Sequence, residues 1–267
     1  TRILPPNLSS YFETETNTFV TMNNIEQQYS FGVDFGALPS MPENPAKLIK
    51  YYADFKNLLK QERGRIKQFH RNGAGGREVV QAHTSLIDSV LYHVIESLAL
   101  RGSSNPKVLL EEFALIAVGG YGRGELNPCS DIDLLFLTPK TIRSKADQLI
   151  QDFIPIFWDL GLEVGSSCRT LKECLILAKK DITIKTSMIE TRFMIGNQAK
   201  YQKFFQSIGK NASRKNIKEF LDAKAKEKSL RYDARIGPSS DPEPNIKEGV
   251  GGLRDYHTAL WAVAVRF

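Results

Sequence analysis

Cysteine is scarce in this chain. Cys129, Cys168 and Cys174 are odd in number, and none stands in the paired spacing of a zinc site or a disulfide framework. Their use fits a reducing, cytoplasmic setting. Long hydrophobic runs are also missing: none approaches the ~18 residues of a membrane-spanning helix, and no apolar leader opens the sequence. Charge of one sign is lacking over most of the length. The net charge of +6 comes from Ala199 to Ile236, where eleven Lys or Arg face four Asp or Glu. That segment has helical spacing, scattered acids and no basic face interleaved with aromatics, so it reads as a solvated helix surface rather than a nucleic-acid interface. Attraction for a nucleotide or an acidic partner is the alternative. The 267 residues, 42% hydrophobic and 25% charged, suit one large or two modest globular domains. A start at Thr1 rather than Met and an end inside an apolar stretch read as a fragment, with Met22 a candidate natural start.

What is present is organised around residues 115–139. Ala114 to Val118 is a buried-strand pattern. It ends in Gly119-Gly120, where a backbone without Cβ atoms turns sharply or approaches a ligand. A second strand begins with Asp131 and Asp133, which share one face roughly 6.6 Å apart along the chain while Ile132 points away. Two carboxylates so placed repel unless a cation lies between them, and Mg²⁺, with its preference for hard oxygens and substrate phosphates, fits. A Gly119-Gly120 turn opening a short helix offers N–H groups to a triphosphate, and Arg123 adds a cationic fork. A dinucleotide fingerprint is excluded, because it needs a long helix where Pro128 and an immediate second strand stand.

Taken in order, residues 1–42 are an irregular tail rich in Thr, Asn, Ser and Pro. Residues 43–103 form a helical hairpin, capped at Asn44-Pro45 and broken at Gly73 to Gly76, with His83 a packed core histidine. Residues 104–180 are the core: the strand–turn–strand unit, a helix from Ser144 to Leu160 kinked at Pro155, and a third strand from Gly161 to Thr170. On that strand Glu163 and Arg169 share a small-residue face, as in the lining of a polar cleft. Thr170 or Asp181 caps the helices beyond that strand. From Leu171 the period is helical to about Arg235, and residues 181–267 make a helical C-terminal region that passes through a linker over Pro238 to Pro244 and a glycine turn (Gly249, Gly251, Gly252) into a helix from Asp255. Bare glycines there, flanked by Lys247 and Arg254, would bring N–H groups and cations against an anion; the alternative is that the glycines only make a turn and Arg254 pairs with a surface acid.

Gly-Gly-Tyr-Gly-Arg-Gly followed by Ser-Asp-Ile-Asp-Leu resembles the signature of the DNA polymerase β-like nucleotidyltransferases. Three further stretches narrow the resemblance to the bacterial PII-uridylyltransferases: Trp158 to Gly165 with Arg169-Thr-Leu, Ile189 to Gly196, and Glu243 to Asp255. The resemblance implies an α+β fold, with a small mixed sheet backed by helices. It implies transfer of UMP from UTP to a tyrosine of the PII signal protein, with release of pyrophosphate. Asp131 and Asp133 would ligate two Mg²⁺. Gly119, Gly120, Arg123, Ser130, Arg169, Lys247, Gly251, Gly252 and Arg254 would hold the nucleotide. The superfamily usually adds a third carboxylate, for which Glu163 is the candidate and Glu190, on an expected helix and paired there with Arg192 or a lysine, the alternative. Longer family members continue into a His-Asp hydrolase and sensor domains, and no His-Asp pair occurs here. Transfer to another protein or a small molecule, or nucleotide binding without catalysis, are the rival readings.

Overall fold

The computed structural model describes residues 41–42, 44–101, 111–211, 217–233 and 245–266. The expected tail, except Met41 and Pro42, and the expected linker over 238–244 lie outside them. Asn44 opens helix α1 (Pro45–Arg71) by accepting the amide of Ala46 at 3.0 Å, and Pro45 stands in the first turn, where its missing N–H is harmless. Gly73, at φ 104°, turns the chain towards α2 (Gly76–Arg101).

The sheet has four strands: β1 (Ala114–Val118), β2 (Ile132–Leu137), β3 (Val164–Arg169) and β4 (Thr191–Gly196), in the order β3-β2-β1-β4. β1 runs antiparallel to β2 and β4, and β2 runs parallel to β3. Between β1 and β2 the chain forms a single short turn, α3 (Gly119–Gly122). Between β2 and β3 lies α4 (Arg143–Asp159), which carries Pro155 inside it. Strand alternation divides the sheet into two apolar faces. Leu115, Ala117, Leu134 and Phe136 pack with α1, α2 and α4, so the N-terminal hairpin shares one core with the sheet. Ala114, Ile116, Leu135 and Leu137 pack on the other side with α5 (Leu171–Lys180), α6 (Ile182–Ile189) and α7 (Gln198–Asn211). A third, smaller core joins α8 (Ile217–Asp233) to α9 (Leu253–Arg266) through Phe220, Trp261 and Val265.

The expected continuous helical period after Leu171 is interrupted by β4. A register shift opposite Leu115 and Ile116 leaves Met194 unpaired as a bulge. Thr191 and Met194 are the buried residues of this strand, three apart, which is a helical interval. Tyr92 of α2 donates to the Met194 carbonyl at 2.8 Å and satisfies the group that the bulge exposes. Both expected caps are present: Thr170 and Glu173 form a reciprocal capping box on α5, and Asp181 caps α6.

His83 is packed in the core, as its place in the α2 stripe predicts. It is 3% exposed and neither ring nitrogen has a hydrogen-bond partner among the described residues. Burial, helped by the Arg63 charge, pushes its pKa down to about 4. The unfolded chain, titrating near the ordinary value of 6.5, takes up this proton first, so stability is full above that pH and is lost as pH falls towards 4. Urea unfolding should show a loss of up to about 2 kcal/mol from this residue between pH 7 and 5. His83→Gln should flatten that limb; an unchanged slope would exclude the assignment.

Candidate active site

The Gly-Gly turn is fixed from below. Tyr121, buried within α3, donates its hydroxyl to Asp88 of α2 at 2.6 Å. Arg192 of β4 grips the same carboxylate with two nitrogens at 2.7 and 3.0 Å and donates to the Tyr121 carbonyl at 3.3 Å. Thr84, one turn before Asp88, accepts the amide of Leu126 at 3.0 Å. Sequence reasoning misses this Asp88–Tyr121–Arg192 network; its only signals are an aspartate beside the apolar stripe of α2 and an arginine in a short strand. It also corrects the expected pairing of Glu190 with Arg192 or a lysine. Glu190 is the C-cap of α6, not a mid-helix residue, and it pairs with Arg123 at 2.5 Å. Burial raises the Glu190 pKa, against the opposing Arg123 charge.

The start of α3 has no side-chain cap on Val118, so its first N–H groups are left for a ligand. Gly119 adopts φ 62°, and a Cβ there would lie 3.6 Å from the Asp133 carboxylate. On the other side, Gly165 of β3 is registered with Asp133, and a Cβ would come within 2.8 Å of Asp133 Oδ1. Asp133 therefore stands between two bare backbones, with exposed Asp131 two residues before it. Burial raises its pKa and the Asp131 charge raises it further, while Lys247 lowers it. Lys247 belongs to the loop before α9, so the charge of that loop acts on Asp133 from 114 positions further along the chain.

The expected site residues divide. Asp131, Asp133, Gly119, Gly120 and Ser130 lie at this end of the sheet, and the charge of Lys247 acts there. Arg123 Nη2 lies against Gly120, while its Nε and Nη1 are held by Glu125 at 2.8 Å and by Glu190. Arg169 does not gather here. It pairs in register with Leu137, four residues along the strand from Asp133, or about 13 Å. The face is shared, as alternation requires, but the distance is too great. Glu163 precedes β3, its carbonyl accepting the Ile132 amide at 2.8 Å. Among the described residues no group of three or more His, Cys, Asp or Glu is placed to hold a metal ion, so Glu163 is not gathered as a third ligand.

The glycine loop follows the alternative reading, a turn with Arg254 paired to an acid. The amides of Gly249 and Gly252 donate to the carbonyls of Asn245 and Gly249, and that of Gly251 donates to Asp255 at 2.9 Å. In this conformation none of the three is offered to an anion. Cβ atoms at Gly249 and Gly252 would come within 2.6 and 2.7 Å of backbone carbonyls, which is the packing reason for those glycines. Arg254 pairs with Glu248 at 3.0 Å, and Arg231 of α8 holds both Glu248 and Asp255. The loop that carries Lys247 is thus held by its own hydrogen bonds and tied to α8 by ion pairs.

Two carboxylates, few other protein donors and an open front suit Mg²⁺, which keeps positions for water and phosphate oxygens. The crowding of Asp133 by Gly165 gives a direct test. Gly165→Ala should leave the melting temperature nearly unchanged, since only the far end of a side chain must yield. Displacing the carboxylate by about 1 Å should cost on the order of 10²-fold in turnover. Normal turnover in that variant would show that the position of Asp133 does not matter.

Comparison with known proteins identifies the family. A family described as nucleotidyltransferase domain matches residues 106–190, and one described as GlnD PII-uridylyltransferase matches residues 219–267. The chain is similar to the bifunctional uridylyltransferase/uridylyl-removing enzyme of Cereibacter sphaeroides, 40% identical over 69% of this chain and 20% of that protein. The enzyme of the same name from Phenylobacterium zucineum is 40% identical over 77% of this chain and 22% of its own length. That from Rhodospirillum rubrum is 33% identical over 83% and 24%. The matched part is therefore about a fifth to a quarter of the length of these curated relatives. Among the described residues no helix is long and apolar enough to cross a membrane.

Proposed function

The chain carries the nucleotidyltransferase region of the PII-uridylyltransferase family, and on that premise we propose that it transfers UMP from UTP to a tyrosine hydroxyl of a PII-type signal protein. The observation that carries the proposal is Asp133, set between Gly119 and Gly165 beside Asp131 and under an uncapped Gly-Gly turn. Asp131 and Asp133 would hold the divalent cations. Such ions, when bound, lower the pKa of the attacking hydroxyl and neutralise charge on the leaving pyrophosphate.

The chain's own residues do the positioning. The first N–H groups of α3 meet the triphosphate oxygens. Arg123 Nη2, steered by Glu190, faces the same turn. Lys247 brings a cation from the loop. The acceptor oxygen then attacks the α-phosphorus in line with the departing pyrophosphate. Lys247→Ala should weaken triphosphate binding by about 1–3 kcal/mol while leaving the fold intact, because among the described residues its ammonium forms no ion pair. Equal triphosphate affinity in that variant would remove Lys247 from the site.

The deciding experiment supplies each labelled nucleoside triphosphate with Mg²⁺ and purified PII protein. Label on the PII tyrosine from UTP alone supports the proposal. Label on another acceptor, or binding without pyrophosphate release, replaces it.

A further inference from the structure

A cleft of about 550 Å³ lies between the α5–α6 corner and α8. It is at the opposite end of α6 from Glu190, and so is separate from the aspartates. Its floor is apolar and closed: Ala178, Ile208 and Phe220 are 5%, 3% and 1% exposed. Its rim is basic, with Lys179, Lys180, Lys185 and Lys226 against Glu219 and Glu227. Glu227 is already paired to the buried Lys224 of the same helix, so it offsets little of the rim charge. Lys185 is half-buried, with its ammonium 5.5 Å from the Phe220 ring, and therefore presents a partly desolvated cation beside an aromatic floor. Charge in such a place attracts an anion more strongly than at an open surface. A volume of this size lies in the range of small-molecule sites.

We propose that this cleft binds a small organic anion, in which an apolar body rests on Phe220 and a carboxylate or phosphate group meets Lys185 and Lys226. The shape and charge together select the ligand class. Glu219 answers part of the Lys185 charge, yet the rim keeps a positive excess that a purely apolar compound leaves unanswered, and a fully hydrated inorganic ion leaves the floor uncovered.

The test is a titration of the isotopically labelled protein, without nucleotide, followed through its backbone amide resonances. Glutarate and phenyl phosphate serve as probes, and neutral glutaramide as the uncharged control. Saturable shifts are expected at Ile182, Lys185, Phe220 and Ala223 with both anions and not with glutaramide. The tighter of the two probes distinguishes carboxylate from phosphate recognition. Lys185→Gln and the surface variant Lys226→Gln should each weaken binding about tenfold, whereas Lys50→Gln, which removes the same charge from α1, should not. The proposal is overturned if neither anion saturates by about 10 mM, if glutaramide binds equally well, or if both rim variants bind as the parent does. Because binding alone is read, failure of the proposed transferase activity leaves this test intact.

Discussion

Asp133→Asn is expected to reduce nucleotidyl transfer by at least about 10²–10³-fold, the scale seen when one electrostatic contact to a transition state is removed. Its melting temperature should be at least that of the parent. The two outcomes have one cause. In the folded chain the Asp133 carboxyl is raised above its ordinary pKa by burial and by Asp131, so its ionised form is held at a cost to folding. A carboxyl raised in this way favours the folded state at low pH, and the benefit is lost as pH rises through its folded pKa. An amide keeps the shape, loses the charge and relieves the repulsion. It cannot serve as an anionic cation ligand. Asp131→Asn should match it in activity, because it removes the second anionic ligand from the same strand end. Steady-state rates with Mg²⁺ and a thermal melt check both. Near-normal turnover in either variant would end the two-carboxylate assignment, and a large fall in melting temperature would show that Asp133 is structural.

Gly122→Ala should have the largest effect on the fold. A Cβ there would sit 2.8 Å from the Ala117 carbonyl oxygen and would also collide with the Glu190 carbonyl. Both obstacles are backbone, one on β1 and one at the junction of α6 and β4, so neither can swing aside. The turn must lift off the sheet, pulling Tyr121 from Asp88 and Arg192. Overpacking of this kind costs about 1–3 kcal/mol, or a fall of about 2–12 °C at this chain length. Transfer should fall with it, because Gly119 and Gly120 ride on the same turn. Gly209→Ala is the contrasting case: it stands in α7 with nothing within 4 Å of the new Cβ and should gain about 0.5–1 kcal/mol. If Gly122→Ala melts at the parent temperature, the turn is looser than its contacts indicate.

The sequence by itself determined the features that depend on near neighbours. Asn44 and Pro45 start α1, Thr170 and Glu173 start α5, and the Asp-x-Asp spacing sets both carboxylates on one face while Ile132 enters the core. Each is a consequence of backbone geometry within four residues. The tertiary structure alone decided which distant groups meet. The bulge at Met194 removed the alternation that announces a strand, so β4 was concealed as helix. Strand alternation set Glu163 and Arg169 on one face but could not set the parallel register with β2, and that register carries Arg169 beside Leu137. Arg123 found Glu190, and Arg192 found Asp88, across 67 and 104 positions. The charge of Lys247 acts on Asp133 from a loop that Arg231 anchors to α8. Charges attract any opposite charge, so their partners are chosen by which apolar faces pack first, and that choice is a property of the whole chain.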